Sequence, residues 1–178
     1  MSMQKREKVI AFFKELGFRP DVNRFEDRLV AQKLVCLLEL KGIDLGYPCS
    51  MYVRGPYSPE LTRDLYGFHD KFERFETEAS LDAREKEIAQ DLGEIFGLKP
   101  ILLEIAATYG YYAIEERCDP IEALARVKRL KPFYSEAQVA VGISKAKKFL
   151  FEPTAEDMEE LKRETGTWQR ASLQSLEH

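Results

Sequence analysis

The stretch 29-LVAQKLVCLLEL-40 holds nine apolar residues among twelve, interrupted only by Gln32, Lys33 and Glu39. Upstream, Asn23-Arg24-Phe25-Glu26 reads as a capping box, an Asn paired with a Glu three residues on at a helix start. The spacing predicts one helix from this box to about Lys41, with Gly42 beyond it. Its apolar face covers nearly the whole circumference, so it is the central helix, packed by neighbours on most sides. Cys36 reads there as a small buried hydrophobe rather than a reactive thiol. The run is about half the length that a membrane span needs.

Working outward, Gly42 to Pro48 turns the chain, and Cys49-Ser50-Met51-Tyr52-Val53-Arg54 alternates. Period two predicts a short half-buried strand with Cys49, Met51 and Val53 inward and Ser50, Tyr52 and Arg54 outward. Ser58-Pro59-Glu60 opens the next helix with a capping hydroxyl, a proline at the first helical position and an acid in the first turn. Leu61, Leu65, Phe68, Phe72 and Phe75 keep helical spacing, so that helix either continues past Gly67 or breaks there into an irregular or hairpin segment.

An earlier helix spans about Gln4 to Leu16, closed by Gly17. Later ones run from Ser80 to near Gly97, from Pro100 onward, from Asp119-Pro120 to about Leu130, and from the second capping box at Ser135-Glu136-Ala137-Gln138. Gly110 sits inside a helix where it costs about 1 kcal/mol relative to Ala, which points to close helix packing. The expected fold is mainly α, a compact multi-helix domain around a central buried helix, with at most a small β element near residues 49–54. Residues 1–152 read as one helical domain and 153–178 as a C-terminal helix and frayed tail. Leu176-Glu177-His178 resembles the stub of an affinity tag.

With 178 residues and 20.6 kDa, a core of ordinary size is attainable. Only Val9 to Phe13 follow the charged N-terminus as an apolar run, too short for a signal peptide. Cys36, Cys49 and Cys118 are odd in number and far apart, so reduced thiols and a cytoplasmic location are expected. Set aside His178, and His69 is the one histidine left. No H-E-x-x-H, C-x-x-C, Walker-type loop, G-x-G-x-x-G or nucleophile elbow occurs, so neither a metal nor a cofactor is expected. Ser144-Lys145-Ala146-Lys147 fits S-x-x-K, but among neighbouring lysines it reads as a solvated helix face.

The net charge of −4 conceals a division. Arg126, Lys128, Arg129, Lys131, Lys145, Lys147 and Lys148 meet one acid, Glu136, between residues 126 and 148. Eight acids face three bases between residues 73 and 94. The basic stretch, expected as one exposed face, is the candidate surface for an anion or nucleic acid. The second candidate is Tyr52, Arg54, Gly55, Pro56, Tyr57 and Ser58. Two prolines three residues apart stiffen this turn, and Tyr and Arg are hot-spot types at interfaces. The same turn also reads as a folding device, with Tyr57 packed on the central helix and Ser58 capping its own.

The run QKLVCLLELKGIDLGYPCSMYVRGPYSPELTRDL, residues 32–65, resembles the YwgA-like group of uncharacterised bacterial and archaeal proteins. More distantly it is similar to the SocA/Panacea group, through a lysine-leucine helix, an extended segment and a Gly-Pro turn. The resemblance implies a compact helical fold without established enzymatic activity and, through the more distant group, an antitoxin-like or adaptor role exerted by protein contacts. The expected function is a non-enzymatic protein-interaction or regulatory module with a protein partner and no membrane. A nucleic-acid-associated regulator using the basic face is the alternative, and an enzyme with a dispersed acid/base site the third.

Overall fold

A computed structural model describes residues 2–151 together with Lys162, Arg163 and Gly166. The C-terminal helix expected after residue 153 and the tag-like end lie outside the described residues or rest on those three alone. The domain is mainly α with one small sheet. Its helices are α1 (Ser2–Leu16), α2 (Phe25–Lys41), α3 (Pro59–Gly67), α4 (His69–Glu73), α5 (Ala83–Phe96), α6 (Pro100–Gly110), α7 (Pro120–Leu130) and α8 (Glu136–Leu150). A π-helical turn, Tyr111–Glu115, extends α6.

Helix α2 is central, as its composition predicts. Every residue from Val30 to Leu38 is buried, and α6, α8, α3 and the sheet pack around it. Its start corrects the expected capping box, since Arg24 is the N-cap and offers no side-chain bond. Aspartates brace the approach to the helix instead. The Asp21 amide donates to Asp27 Oδ2 at 2.9 Å, and Asp21 Oδ1 accepts from the Asn23 amide. A carboxylate one turn into the helix thus reaches back to hold the entry. Gly42, at φ +102°, closes the helix in the left-handed conformation that glycine adopts without steric cost.

The other boundaries follow local chemistry. Ser58 Oγ caps α3 by accepting from the Leu61 amide at 3.5 Å, and Asp82 with Glu85 forms a capping box on α5. Ser135 and Gln138 form the box predicted for α8. Past Gly67 the chain breaks and restarts as the short α4.

The β element is a hairpin rather than one strand: β1 (Ser50–Tyr52) pairs antiparallel with β2 (Gly55–Tyr57), Met51 opposite Pro56. Proline has no N–H, so position 56 can face only a non-hydrogen-bonded site across the ladder. That register forces the turn onto Val53-Arg54, and Val53, expected inward, is 88% exposed at the tip.

The expectation of reduced thiols is also corrected. Cys36 and Cys49 are joined by a disulfide across a Cα–Cα distance of 6.1 Å, leaving Cys118 as the free thiol. The turn after α2 doubles back closely enough to bring them together. Glu39 Oε1 accepts from the Leu45 and Tyr47 amides at 3.0 Å each, and Tyr47 donates to Asp64 Oδ2 on α3. With it goes the thiol argument for a cytoplasmic location. No described helix is long and apolar enough to cross a membrane.

Close packing at Gly110 is confirmed, since a β-carbon there would stand 2.5 Å from Leu150 Cδ1 and 3.0 Å from Leu40 Cδ1. Gly142 is tighter still, because the β-carbon of Ile105 lies 2.7 Å from the position its own would take. A branched carbon beside a helix axis cannot swing away. Gly142→Ala is therefore expected to lower stability by about 1–3 kcal/mol, as overpacking does. Gly67→Ala, with nothing within 4 Å, should be neutral or slightly stabilising. Denaturant unfolding of the two variants checks the contrast.

Candidate functional site

Two polar neighbours in the apolar run, Gln32 and Lys33, are almost fully buried on α2. A buried amide or amine without partners costs several kcal/mol, so each must find bonds. Lys33 finds its bond on the hairpin, and Gln32 finds its bonds just beyond it, at the start of α3. Gln32 Oε1 accepts from the Ser58 amide at 2.9 Å, while its Nε2 donates to the Ser58 carbonyl at 3.0 Å and to Thr62 Oγ1 at 2.9 Å. Lys33 Nζ donates to the Pro56 carbonyl at 2.7 Å. Thr62 Oγ1 donates in turn to Tyr57 Oη at 2.6 Å.

Beneath the hairpin lies a buried charge cluster. Glu104 of α6 pairs through Oε1 with Lys131 Nζ and accepts the Tyr134 hydroxyl on Oε2 at 2.6 Å. Thr108, one turn further along, donates to the Glu104 carbonyl at 2.7 Å. Gly55 covers this floor so closely that a β-carbon would lie 2.5 Å from Thr108 Oγ1 and 3.3 Å from Lys33 Nζ. Its φ of +97° excludes larger residues independently.

The cluster is unbalanced: Lys33 and Lys131 face the single carboxylate of Glu104, with Arg54 close enough to add repulsion. Burial, assisted by Lys131 and Arg54 and opposed by Glu104, pushes the Lys33 amine down to about 7. Burial also lowers Lys131, against its bond to Glu104. Tyr134 is raised by burial and by donating to Glu104.

Above this floor the residues facing solvent are of another kind. Tyr52 is 49% and Phe25 51% exposed. Arg54, also exposed, places its guanidinium 4.7 Å from the Phe25 ring centre, and Arg28 stands 5.7 Å from the same ring. Tyr52 meets Tyr57 edge-on at 5.2 Å. The predicted group thus divides by depth. Tyr52 and Arg54 face out, Tyr57 is half-buried and hydrogen-bonded, and Gly55, Pro56 and Ser58 are buried in the hairpin's own construction.

The predicted basic face is not continuous. Lys131, placed on it from sequence, is withdrawn from solvent because its amine completes the Glu104 pair. Arg126 is engaged by Glu116 and by Glu122 at 2.8 Å, Lys128 lies 3.7 Å from Glu136, and Lys145 donates to the Ile95 carbonyl at 2.6 Å. Arg129, Lys147 and Lys148 have no ion pair among the described residues.

A cleft of about 200 Å³ flanks the disulfide, lined by Cys36, Glu39, Cys49, Pro56, Tyr111 and Glu115 among others. Glu39 is raised by burial, and the Leu45 and Tyr47 amides of the turn after α2 already bond its Oε1.

Sequence reading missed Gln32, Lys33, Glu104 and Phe25. A signal for the first two was present, because polar residues in a helix buried on all sides must have partners. Compared with family models, curated proteins and solved structures, the chain matches none.

The Lys33 amine gives a pH signature with a definite sign. Between about 7 and 10.5 the unfolded chain holds a proton that the folded chain has released. Stability supplied by this group therefore rises with pH across that window, by up to about 1.4 kcal/mol per unit, and the burial penalty is full below it. Lys33→Met removes the titration. Parent stability minus variant stability, from urea unfolding at several pH values, should grow from pH 7 towards 10; a constant difference would show that another group titrates.

Proposed function

We propose that this chain is a non-enzymatic protein-interaction module that meets its partner through the hairpin tip and the start of α2. The observation carrying this reading is the exposure of Phe25, Tyr52 and Val53 beside an Arg54 guanidinium stacked on an aromatic ring. Large apolar groups around an arginine are the composition of interface hot spots. An arginine over an aromatic face also keeps its in-plane donors free for a partner's oxygens.

Two further features support it. Lys33 and Lys131, whose proton affinity burial lowers, are closed from solvent under the hairpin and are spent on the Pro56 carbonyl and on Glu104. The tip is also anchored on both sides, by the Cys36–Cys49 bridge and by Gly55 seated on Thr108, so less entropy remains to be lost on docking. The resemblance of residues 32–65 to the YwgA-like group, and more distantly to the antitoxin-type SocA/Panacea group, favours the same kind of role. A cytoplasmic location forms part of the proposal. There the Cys36–Cys49 bridge would face a reducing thiol pool, so its oxidation state in cells reports the compartment.

The test pairs stability with partner recovery. Parent and the Tyr52→Ala/Arg54→Ala double variant are cross-linked in nuclease-treated native lysate, and thermal midpoints are measured in parallel. The proposal expects a midpoint close to the parent's and loss of the cross-linked partners. A lowered midpoint with full partner recovery would assign the tip to folding alone.

A further inference from the structure

The hairpin has two edges, and the structure treats them differently. On β2 the outward carbonyl of Pro56 accepts from Lys33, and both backbone groups of Ser58 are held by Gln32. Side chains of α2 have taken the place of a third strand, and that edge is closed.

The β1 edge is open. Tyr52 pairs with Gly55 and Ser50 with Tyr57, so the N–H and C=O of Met51, opposite Pro56, point away from β2. Among the described residues no hydrogen bond reaches either group. Among the described residues no helix packs against β1 as α2 packs against β2. Edges of this kind are where extended peptides add to a sheet, main-chain bonds supplying affinity and alternate side chains selecting the occupant.

The charge beside this edge selects the occupant's chemistry. Arg54 lies next to β1, fixed over Phe25, and no carboxylate stands within ion-pair distance of it among the described residues. Arg28 shares the ring and spends one donor on the Val22 carbonyl at 2.6 Å. Behind them, Glu104 is already paired with Lys131 and is not free to offset these guanidinia. The charged groups set against the Phe25 ring beside this edge are thus both guanidinia, although the chain as a whole is acidic.

We infer that the open edge of β1 receives an extended, acidic segment of a partner protein as a third strand, one carboxylate pairing with Arg54 and an apolar side chain covering Phe25 and Val53. The inference rests on the interaction reading above and names the partner's chemistry. Because β1 is three residues long, it offers few main-chain bonds. Most affinity must come from the charge-assisted pair and the apolar cover, which makes binding salt-sensitive.

The probe is a random peptide library displayed on phage, panned against the full chain at low salt. Enriched peptides should alternate acidic and apolar residues and protect the Met51 amide from hydrogen exchange. They should lose about tenfold or more in affinity against Arg54→Glu, the scale of one charge-assisted pair. N-methylation of alternate peptide amides should abolish binding by removing strand donors. Arg54→Ala is measured beside Arg54→Glu, both checked by thermal midpoint, so that a misfolded variant is recognised and replaced.

No enrichment, enriched peptides without acidic character, or equal binding to parent and well-folded Arg54→Ala would each overturn the inference. So would preferential displacement of the peptides by a mixed-sequence single-stranded oligonucleotide. If lysate partners still depend on Tyr52 and Arg54 while the library yields no acidic consensus, the interaction reading stands and strand addition falls.

Discussion

Two consecutive side chains of α2, Gln32 and Lys33, take over the hydrogen bonds that a third strand would make to β2. A two-stranded hairpin is marginal by itself in water, and this one is only three residues long on each side. Each bond is worth about 1 kcal/mol net when made, but leaving a buried partner unpaired costs roughly 1–3 kcal/mol. Neither half stands without the other. The amide and amine can be buried in a central helix only because the hairpin backbone satisfies them, and the hairpin keeps its place only because the helix presents them.

The charge cluster below extends this dependence to the rest of the chain. Glu104 comes from α6, Lys131 and Tyr134 from the segment after α7, and Lys33 from α2. Buried ion pairs often add little net stability over apolar packing, whereas breaking one costs about 3–5 kcal/mol. The cluster thus acts on arrangement more than on total stability. It joins three distant parts of the chain at one point and sets the floor on which Gly55 rests. The cost of this arrangement shows in the lowered proton affinity of Lys33, set first by burial and then by the neighbouring Lys131 charge.

Helices were legible because their signals are local. Apolar spacing showed α2 to be central, Ser58, Asp119 and Ser135 marked starts, and Gly110 marked a close crossing. What was not legible depends on contacts between distant residues. The capping box at Asn23 failed because Asp21 Oδ1 takes the Asn23 amide that Glu26 would have accepted. Val53 was misplaced because strand alternation ignores the register that Pro56 imposes from the opposite strand. The Cys36–Cys49 bridge has no signature in a chain with an odd number of cysteines, since pairing depends on how sharply the intervening turn folds back. Lys131 looked like its basic neighbours, because nothing near it in sequence announces a carboxylate 27 positions earlier. Of the candidate site, Tyr52 was readable from alternation, whereas Arg54 is exposed because it sits in the turn, and Phe25 joins them only through the fold.

Anchoring at both ends explains why the exposed residues are presented rather than merely left outside. Cys49, immediately before β1, is bonded to Cys36 of the central helix, and Gly55, immediately after the turn, is seated on Thr108 and Lys33. Phe25 begins a helix whose entry is tied down by Asp21 and Asp27, and Arg28 holds the Val22 carbonyl beside it. The stretch between Cys49 and Gly55 is thus fixed at its ends and along β2, with its outer edge unbonded among the described residues. Side chains on such a segment lose little freedom when a partner covers them, so the contacts they make are less offset by ordering. Restraint of the backbone and exposure of the side chains therefore arise from the same buried bonds.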